Sequence, residues 1–248
     1  MFRSSLATLA PEGAMHPNFV ADPAEVRTFL GKVFTYMALA LAISGGVAYW
    51  FGHDMAMLSY LVDFNTGKQT ILGWVVLFAP LALVFLMGGM VNRLSGTMLL
   101  TVFVAYSALT GASLSYIFLV YTANSIASVF FVTAALFGVM AVAGYTTKTD
   151  LTKLGSILFI GLIGVVIAML VNMFLKSDTM GYIISVLSVV IFTGLTAYDM
   201  QRLKQVGSAV VNGTEMAQKM ALMGALSLYL DFLNLFLALL RLFGSRKN

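Results

Sequence analysis

Residues 94–147 form a stretch of 54 residues without one charged side chain, and this stretch constrains the fold more than any other feature. It is too long for a single helix, and the polar segment 121–125 divides it into two. Only 10% of the 248 residues are charged and 60% are hydrophobic, whereas about 25% of a typical soluble domain is charged. These figures exclude a soluble globular fold and a disordered chain, and they predict a bundle of membrane helices.

Seven apolar runs are each long enough to cross a bilayer, for which about 20 residues suffice. They cover residues 31–51, 71–91, 97–119, 124–144, 154–175, 181–203 and 221–243. None has the alternation of a membrane β-barrel strand. We therefore predict an all-α polytopic membrane protein, a seven-transmembrane-helix bundle at 30–243 with a polar N-terminal tail (1–29) and a basic C-terminal tail (244–248). The alternative has six spans and a last segment that re-enters the membrane without crossing it.

The distribution of Lys and Arg predicts the orientation in the membrane. With seven spans, nine of the 14 basic residues fall on the side of the N-terminus and five on the other side, three of them at the C-terminus. Because cytoplasmic loops are enriched in Lys and Arg, the N-terminus is predicted to be cytoplasmic. The basic C-terminal tail conflicts with this orientation unless the last segment re-enters.

Small residues at fourfold spacing predict where helices approach one another closely. The first span contains Ala38, Ala42 and Gly46 in such a stripe. The third span contains Ser107, Gly111 and Ser115. We expect both stripes to pack against neighbouring helices.

The first five spans have no interior charge, whereas the last two carry one acid each, Asp199 and Asp231. A carboxylate at the centre of a membrane helix costs about 2.5–3.5 kcal/mol on insertion scales, so such a residue usually faces the bundle interior and serves function. A stripe of small or polar residues at helical spacing runs through the second acid. Its members are Gly224, Ser227, Asp231, Asn234, Ala238 and Arg241. Asp199 has an alternative role, an interfacial ion pair with Arg202 three residues later.

The two acidic helices are consecutive and separated by a polar loop of 17 residues (204–220), so both polar stripes are expected to face each other. Two carboxyls close together at low dielectric cannot both ionise cheaply. When they share one proton they form a clamp between the helices, and when both ionise they need a cation. Hard oxygen ligands suit Ca²⁺. Asp199 and Asp231 therefore predict a proton-sensitive cation site that binds Ca²⁺ transiently, with no resident cofactor.

Several classes of protein are excluded by what the membrane segments lack. The chain has no cysteine, and both histidines lie outside the apolar runs, which excludes thiol chemistry, a haem and a Ser–His pair in the membrane. No lysine lies between Lys219 and Lys247 to form a retinal Schiff base. We expect no enzyme activity. The net charge of +4 reflects loop bias, so the predicted partners are the lipid bilayer and a cation, and not nucleic acid.

Two segments around the acids resemble the Bax inhibitor-1 family, the transmembrane Bax inhibitor motif proteins. They read TGLTAYDMQRLK at 193–204 and ALSLYLDFLNLF at 225–236, the second followed by LLR at 239–241. The resemblance extends over 30–243. It implies seven helices with the last at the centre of the other six. It also implies a pH-sensitive calcium leak governed by an aspartate pair, which maps onto Asp199 and Asp231.

The same resemblance implies a location and partners. Bacterial members include inner-membrane proteins that bind and restrain a membrane-anchored AAA protease, and eukaryotic members dampen cell death and lower stored calcium. The short tail and the absence of cysteine resemble the bacterial members, so a bacterial inner membrane is the predicted location. Some members latch the sixth-helix aspartate with an arginine at the end of the second helix. Here the only basic residue in that stretch is Arg93, past the apolar run.

Three hypotheses for function follow. The first is a pH-sensitive calcium leak channel or cation exchanger gated by the aspartate pair. The second is a membrane-embedded regulator that binds a membrane protease or another membrane protein, with the N-terminal tail as its recognition segment. The third is a proton-coupled transporter of a small solute, although no broken helices occur at matching positions in two halves. The candidate latch and neighbours of the pair are Arg93, Arg202, Ser227, Asn234 and Arg241.

Overall fold

The computed structural model describes residues 22–247, and these form a bundle of long helices. The helices are α1 (Pro23–His53), α2 (Met55–Leu61), α3 (Ile71–Met90), α4 (Gly96–Leu114), α5 (Ile117–Val120), α6 (Ala123–Thr146), α7 (Thr152–Leu175), α8 (Asp178–Ala209) and α9 (Glu215–Phe243). Two short strands, β1 (Val62–Asp63) and β2 (Lys68–Gln69), pair in antiparallel register outside the spans. Part of the predicted N-terminal tail, residues 1–21, lies outside the described residues.

Across residues 22–247, seven spans are long and apolar enough to cross a membrane, as predicted: α1, α3, α4 with α5, α6, α7, α8 and α9. The last of them is one unbroken helix of 29 residues, which at 1.5 Å per residue is about 43 Å long and exceeds the ~30 Å hydrocarbon core. The alternative of six spans with a re-entrant last segment is therefore wrong. The two ends of the bundle are named below by α1 and α9 as the Pro23 end and the Phe243 end.

The basic C-terminal tail lies at the Phe243 end, opposite the start of α1. Its residues 245–247 run beside the segment that joins α5 to α6. The Thr122 amide donates to the Ser245 carbonyl at 3.0 Å, and the Lys247 amide donates to the Val120 carbonyl at 2.9 Å. The Lys247 ammonium also donates to the Phe118 carbonyl at 2.7 Å. The basic tail therefore stays at the Phe243 end, where it contacts the segment between α5 and α6, and it does not return through the membrane to the Pro23 end.

Several helices are longer than their apolar runs because polar residues continue the helix and capping residues end it. α1 begins at Pro23 instead of residue 30, since the Asp22 carboxylate accepts from the Ala24 amide and proline suits the first turn. The predicted 17-residue loop before α9 is also wrong. Only residues 210–214 are non-helical there, because the polar residues around it are good helix formers and Thr214 caps α9.

The last helix is the centre of the bundle. In the 18-residue apolar window of α9, 78% of the residues are buried, against 11% in α7. α9 packs mainly against α8, α1, α6 and α4, while α3 packs on α4 and α7 packs on α8. The expected central position is confirmed, with the refinement that four of the six other spans form the inner ring and α3 and α7 lie outside it.

Two close helix contacts in the ring depend on glycine. A Cβ placed on Gly144 of α6 would collide with the Ala197 carbonyl of α8, and a Cβ on Gly111 of α4 would lie 2.5 Å from the Ser44 carbonyl of α1. The stripe predicted in the third span is therefore a contact surface. The stripe predicted in the first span is not, because Ala38, Ala42 and Gly46 are exposed while the next face of α1, with Ser44, is buried.

Candidate functional site

The two acids of the last spans lie on facing helices in the interior. Asp199 is 8% exposed and Asp231 is 5% exposed. Asp199 stands ten residues before α8 ends at Ala209, about 15 Å along the axis from that end. Asp231 is near the middle of α9. Because α8 and α9 are antiparallel neighbours with the most extensive contact in the bundle, both acids face the same inter-helix seam.

A hydrogen bond joins the helices at the first acid. The Ser227 hydroxyl of α9 donates to Oδ2 of Asp199 on α8. Ser227 precedes Asp231 by four residues, one helical turn and about 6 Å along the axis, so both lie on one face of α9. The predicted neighbour Ser227 is thus a direct partner of Asp199, and Asp199 is tied to the helix that carries the second acid.

The second acid has no such partner. Oδ2 of Asp231 is buried and accepts no hydrogen bond from any residue that the structure describes. Its carboxyl interacts electrostatically with Asp199. A carboxyl taken out of water without a partner is costly when charged, so the neutral acid or an approaching cation is favoured at this position.

The remaining members of the predicted stripe do not join the pair. The Asn234 side chain donates to the Leu230 carbonyl of its own helix at 2.8 Å. Arg241 is ten residues beyond Asp231, about 15 Å along the axis. Its guanidinium group lies beside Gly181 at the start of α8, 3.9 Å from where a Cβ of that residue would be. The predicted stripe therefore lies on α9, but only its first half, with Ser227 and Asp231, takes part in the acidic pair.

The predicted basic neighbours differ in how they relate to Asp199. The positive charge of Arg202 interacts electrostatically with the Asp199 carboxyl, although the two form no ion pair. Arg93 lies in the turn between α3 and α4, where its amide donates to the Met90 carbonyl. Across residues 22–247 the one ion pair joins Lys219 to Glu215 at 3.0 Å, so neither the Asp199–Arg202 pair nor an Arg93 latch is formed.

The opposite face of α9 carries a second polar contact that the sequence did not identify. The Tyr229 hydroxyl lies 2.5 Å from the Ser44 hydroxyl of α1, and the Ser44 hydroxyl also lies 2.8 Å from the Ser107 carbonyl of α4. Ser44 lies with Ala40 and Ala48 on the buried face of α1, which only the structure reveals.

The acids are not part of a larger metal cluster. Over the described part of the chain, three or more His, Asp or Glu side chains nowhere come together in an arrangement that could hold a metal ion. Asp199 and Asp231 with the Ser227 hydroxyl offer oxygen ligands only, and fewer than the six to eight that a resident Ca²⁺ takes.

Comparison with known proteins agrees with these features. The family model described as "Inhibitor of apoptosis-promoting Bax1" matches residues 26–248. The chain is 43% identical to the "Inner membrane protein YbhL" of Escherichia coli K12, over 93% of this chain and 97% of that protein. It is 43% identical to an uncharacterized protein of Borreliella burgdorferi, over 89% and 93% of the two chains. It is 36% identical to an uncharacterized membrane protein of Streptococcus pyogenes, over 92% and 97%.

Proposed function

The chain belongs to the Bax inhibitor-1 family, and from this premise we propose that it is a pH-sensitive leak channel or exchanger for cations, with Ca²⁺ as the transported ion. Asp199 and Asp231 are the proposed sensing and cation-contacting groups. One observation supports this most directly: the two acids interior to the spans lie buried on facing helices, and Ser227, one turn before Asp231, donates to Asp199. A helix bundle that needed them only for packing would be easier to insert without them.

The proposed gate works through the charge of the pair. While at most one of the two carboxyls is ionised, the hydrogen bond from Ser227 to Asp199 holds α9 against α8. With both carboxyls ionised, repulsion at low dielectric separates the helices unless a cation enters between them. The described arrangement is closed in this scheme, since both acids are less than a tenth exposed and an ion in water cannot reach them.

We further propose a bacterial inner-membrane location with the N-terminus in the cytoplasm. The name of the Escherichia coli relative supports the location. The excess of Lys and Arg at the Pro23 end supports the orientation. The tail at 245–247 would then lie on the outer side. The proposed role needs no enzyme activity and no bound cofactor, because proton and cation binding to two carboxyls is sufficient for gating.

The test is calcium flux into liposomes that contain the purified full-length protein, measured from acidic to mildly alkaline pH. Wild-type flux is expected to change with pH. Asp231→Asn and Asp199→Asn are each expected to remove that dependence, because an amide neither gains nor loses a proton. Asp178→Asn is the matched control, since this acid lies on α8 but is exposed at its first turn.

Two results would overturn the proposal. One is wild-type flux equal to that of empty liposomes at every pH, which would instead favour the regulator of a membrane protease or other membrane protein. The other is a pH response in Asp231→Asn and Asp199→Asn that matches both wild type and Asp178→Asn. Proton uptake coupled to a small solute, with no calcium flux, would favour the transporter.

A further inference from the structure

The central helix is held by a side-chain hydrogen bond on each of two faces. On one face Ser227 donates to Asp199 of α8. Tyr229, two residues later, is turned by about 200° around the helix and meets Ser44 of α1. These two contacts lie within one turn of α9, at the same depth in the bundle, and they attach the helix to α8 on one side and to α1 on the other.

The direction of the second hydrogen bond follows from the acceptors around it. The Ser44 hydroxyl lies 2.8 Å from the Ala40 carbonyl and 2.8 Å from the Ser107 carbonyl, and carbonyls only accept. The single proton of Ser44 therefore goes to a carbonyl. The Tyr229 hydroxyl, 2.5 Å away, donates to the Ser44 oxygen. This bond thus connects α9 to α1 directly and to α4 through Ser44.

The surroundings of Tyr229 make this bond a fixed one. The Tyr229 side chain is fully buried, and the Tyr106 ring of α4 packs against it edge-on with centroids 5.6 Å apart. The Thr110 hydroxyl of α4, which donates to the Tyr106 carbonyl, also lies beside the Tyr229 hydroxyl. A movement of α9 that takes Tyr229 away from both Ser44 and Thr110 is therefore unfavourable, because it leaves a buried hydroxyl without an acceptor.

Few groups near this contact can respond to pH. The titratable or charged residues that face this part of α9 are Tyr106 from α4 and Asp199 from α8, with Arg202 acting on Asp199. α1 contributes Ser44, and α6 contributes Phe130 and Phe137, which pack on Phe232. The α1 and α6 groups do not titrate. A change of charge therefore occurs on the side of α9 that faces α8, and the contact with α1 on the other side opposes the resulting movement of α9.

We propose that the Tyr229 hydroxyl is a positioning group that holds α9 in its closed place against α1 and α4 when the hydrogen bond to α8 is lost. This inference rests on the proposed gating by Asp199 and Asp231 and adds the contact that opposes it. Since α9 is a rigid helix, a movement away from α8 strains the Tyr229–Ser44 bond two residues away. The strength of that bond therefore sets how readily ionisation of the acids opens the bundle.

The test is calcium flux in liposomes for Tyr229→Phe, which removes the hydroxyl and keeps the ring. At the pH where wild type is mostly closed, flux is expected to rise about five-fold, the effect of one net hydrogen bond. The double variant Ser44→Ala with Tyr229→Phe should match Tyr229→Phe, because the bond is already lost in the single variant. Ser44→Ala alone should raise flux by no more than Tyr229→Phe does, because Thr110 still lies beside the tyrosine hydroxyl. Tyr36→Phe is the matched control, a half-buried tyrosine of α1 whose hydroxyl has no hydrogen bond among the described residues.

A second measurement does not depend on flux. The chain has no cysteine, so spin labels on cysteines placed at Ala24 and Met216 report the distance between the starts of α1 and α9 at the Pro23 end. Tyr229→Phe is expected to broaden or shift this distance distribution, whereas Tyr36→Phe leaves it as in wild type. If wild type shows no flux, the proposed function fails while the distances still test the role of Tyr229. Unchanged distances in Tyr229→Phe would overturn that role, as would unchanged flux beside a pH-dependent wild type.

Discussion

The outer helix α7 and the central helix α9 are both long enough to span a membrane, yet they occupy opposite environments. α7 is the most apolar of the seven spans, and only 11% of its apolar window is buried. α9 is less apolar, carries Ser227, Tyr229, Asp231 and Asn234, and is 78% buried over its window. The more hydrophobic helix is thus the one that lies outside.

This order is the reverse of that in a soluble domain, and the bilayer explains it. Lipid tails are as apolar as leucine, so an apolar surface gains little by leaving lipid for the protein interior. A polar side chain in lipid, by contrast, costs free energy unless it meets a partner. Small residues for close packing and polar residues for hydrogen bonding therefore decide which helix lies inside. The comparison of α7 with α9 leads to three predictions, two on stability and one on membrane insertion.

The largest effect is expected from an identical truncation in the two helices. Leu228→Ala in α9 removes a fully buried side chain and leaves a cavity, so it should lower the free energy of unfolding by about 2–5 kcal/mol. Leu170→Ala in α7, at a side chain that is 56% exposed, should change it by less than about 0.5 kcal/mol. Denaturant unfolding in detergent micelles measures both. Equal losses for the two variants would break the contrast between the helices.

A second prediction places an acid on the outer helix. Val166 lies near the middle of α7 and is 47% exposed, so Val166→Asp would put a carboxylate against lipid. We expect a cost of about 2.5–3.5 kcal/mol in membrane insertion, seen as a smaller integrated fraction after carbonate extraction of membranes. Val166→Leu serves as the control and should insert like wild type. Normal insertion of Val166→Asp would mean that burial is not the reason why Asp231 is tolerated in α9.

The smallest of the three effects concerns close packing in the inner ring. Gly144→Ala adds one methyl group that collides with the Ala197 carbonyl between α6 and α8, at an expected cost of about 1–3 kcal/mol. Gly164→Ala adds the same group in α7, where nothing lies within 4 Å of the new Cβ. Its thermal midpoint should equal or exceed that of wild type, because alanine favours the helix. A destabilised Gly164→Ala with an unaffected Gly144→Ala would contradict the assignment of inner and outer helices.

Most of the fold could be predicted because spanning a bilayer imposes a simple rule on sequence. Each apolar run of about 20 residues became a helical span, the third of them in two helices, and the seven-span count was correct. The errors in helix boundaries fell outside the apolar runs. Residues 23–29 and most of the presumed loop 204–220 are helical, since hydropathy measures preference for lipid and not helix formation. Caps at Asp22 and Thr214 set those boundaries.

The candidate site was predictable in part for a related reason. Asp231 and Asp199 stood out because charge is rare in the spans, and Ser227 followed from its place one turn before Asp231. Asn234 and Arg241 share that stripe but do not contact the acids. Helical spacing predicts which residues share a face of α9, but it does not predict which residues of the neighbouring helix lie at the same level along the axis. The Tyr229–Ser44 contact joins residues 185 positions apart, and no local pattern relates them.

The sequence by itself determined that this protein is a seven-helix membrane bundle with two acids in its last two spans, because the cost of charge in lipid leaves few alternatives. The tertiary structure alone decided which helices form the inner ring around α9, which of the polar residues meet, and that α9 is held on two faces. These features depend on how the helices pack. A helix surface that faces lipid and one that faces protein both carry apolar side chains, so the sequence does not separate them. Close contacts between helices do separate them, such as Gly144 against Ala197 and Ser227 with Asp199.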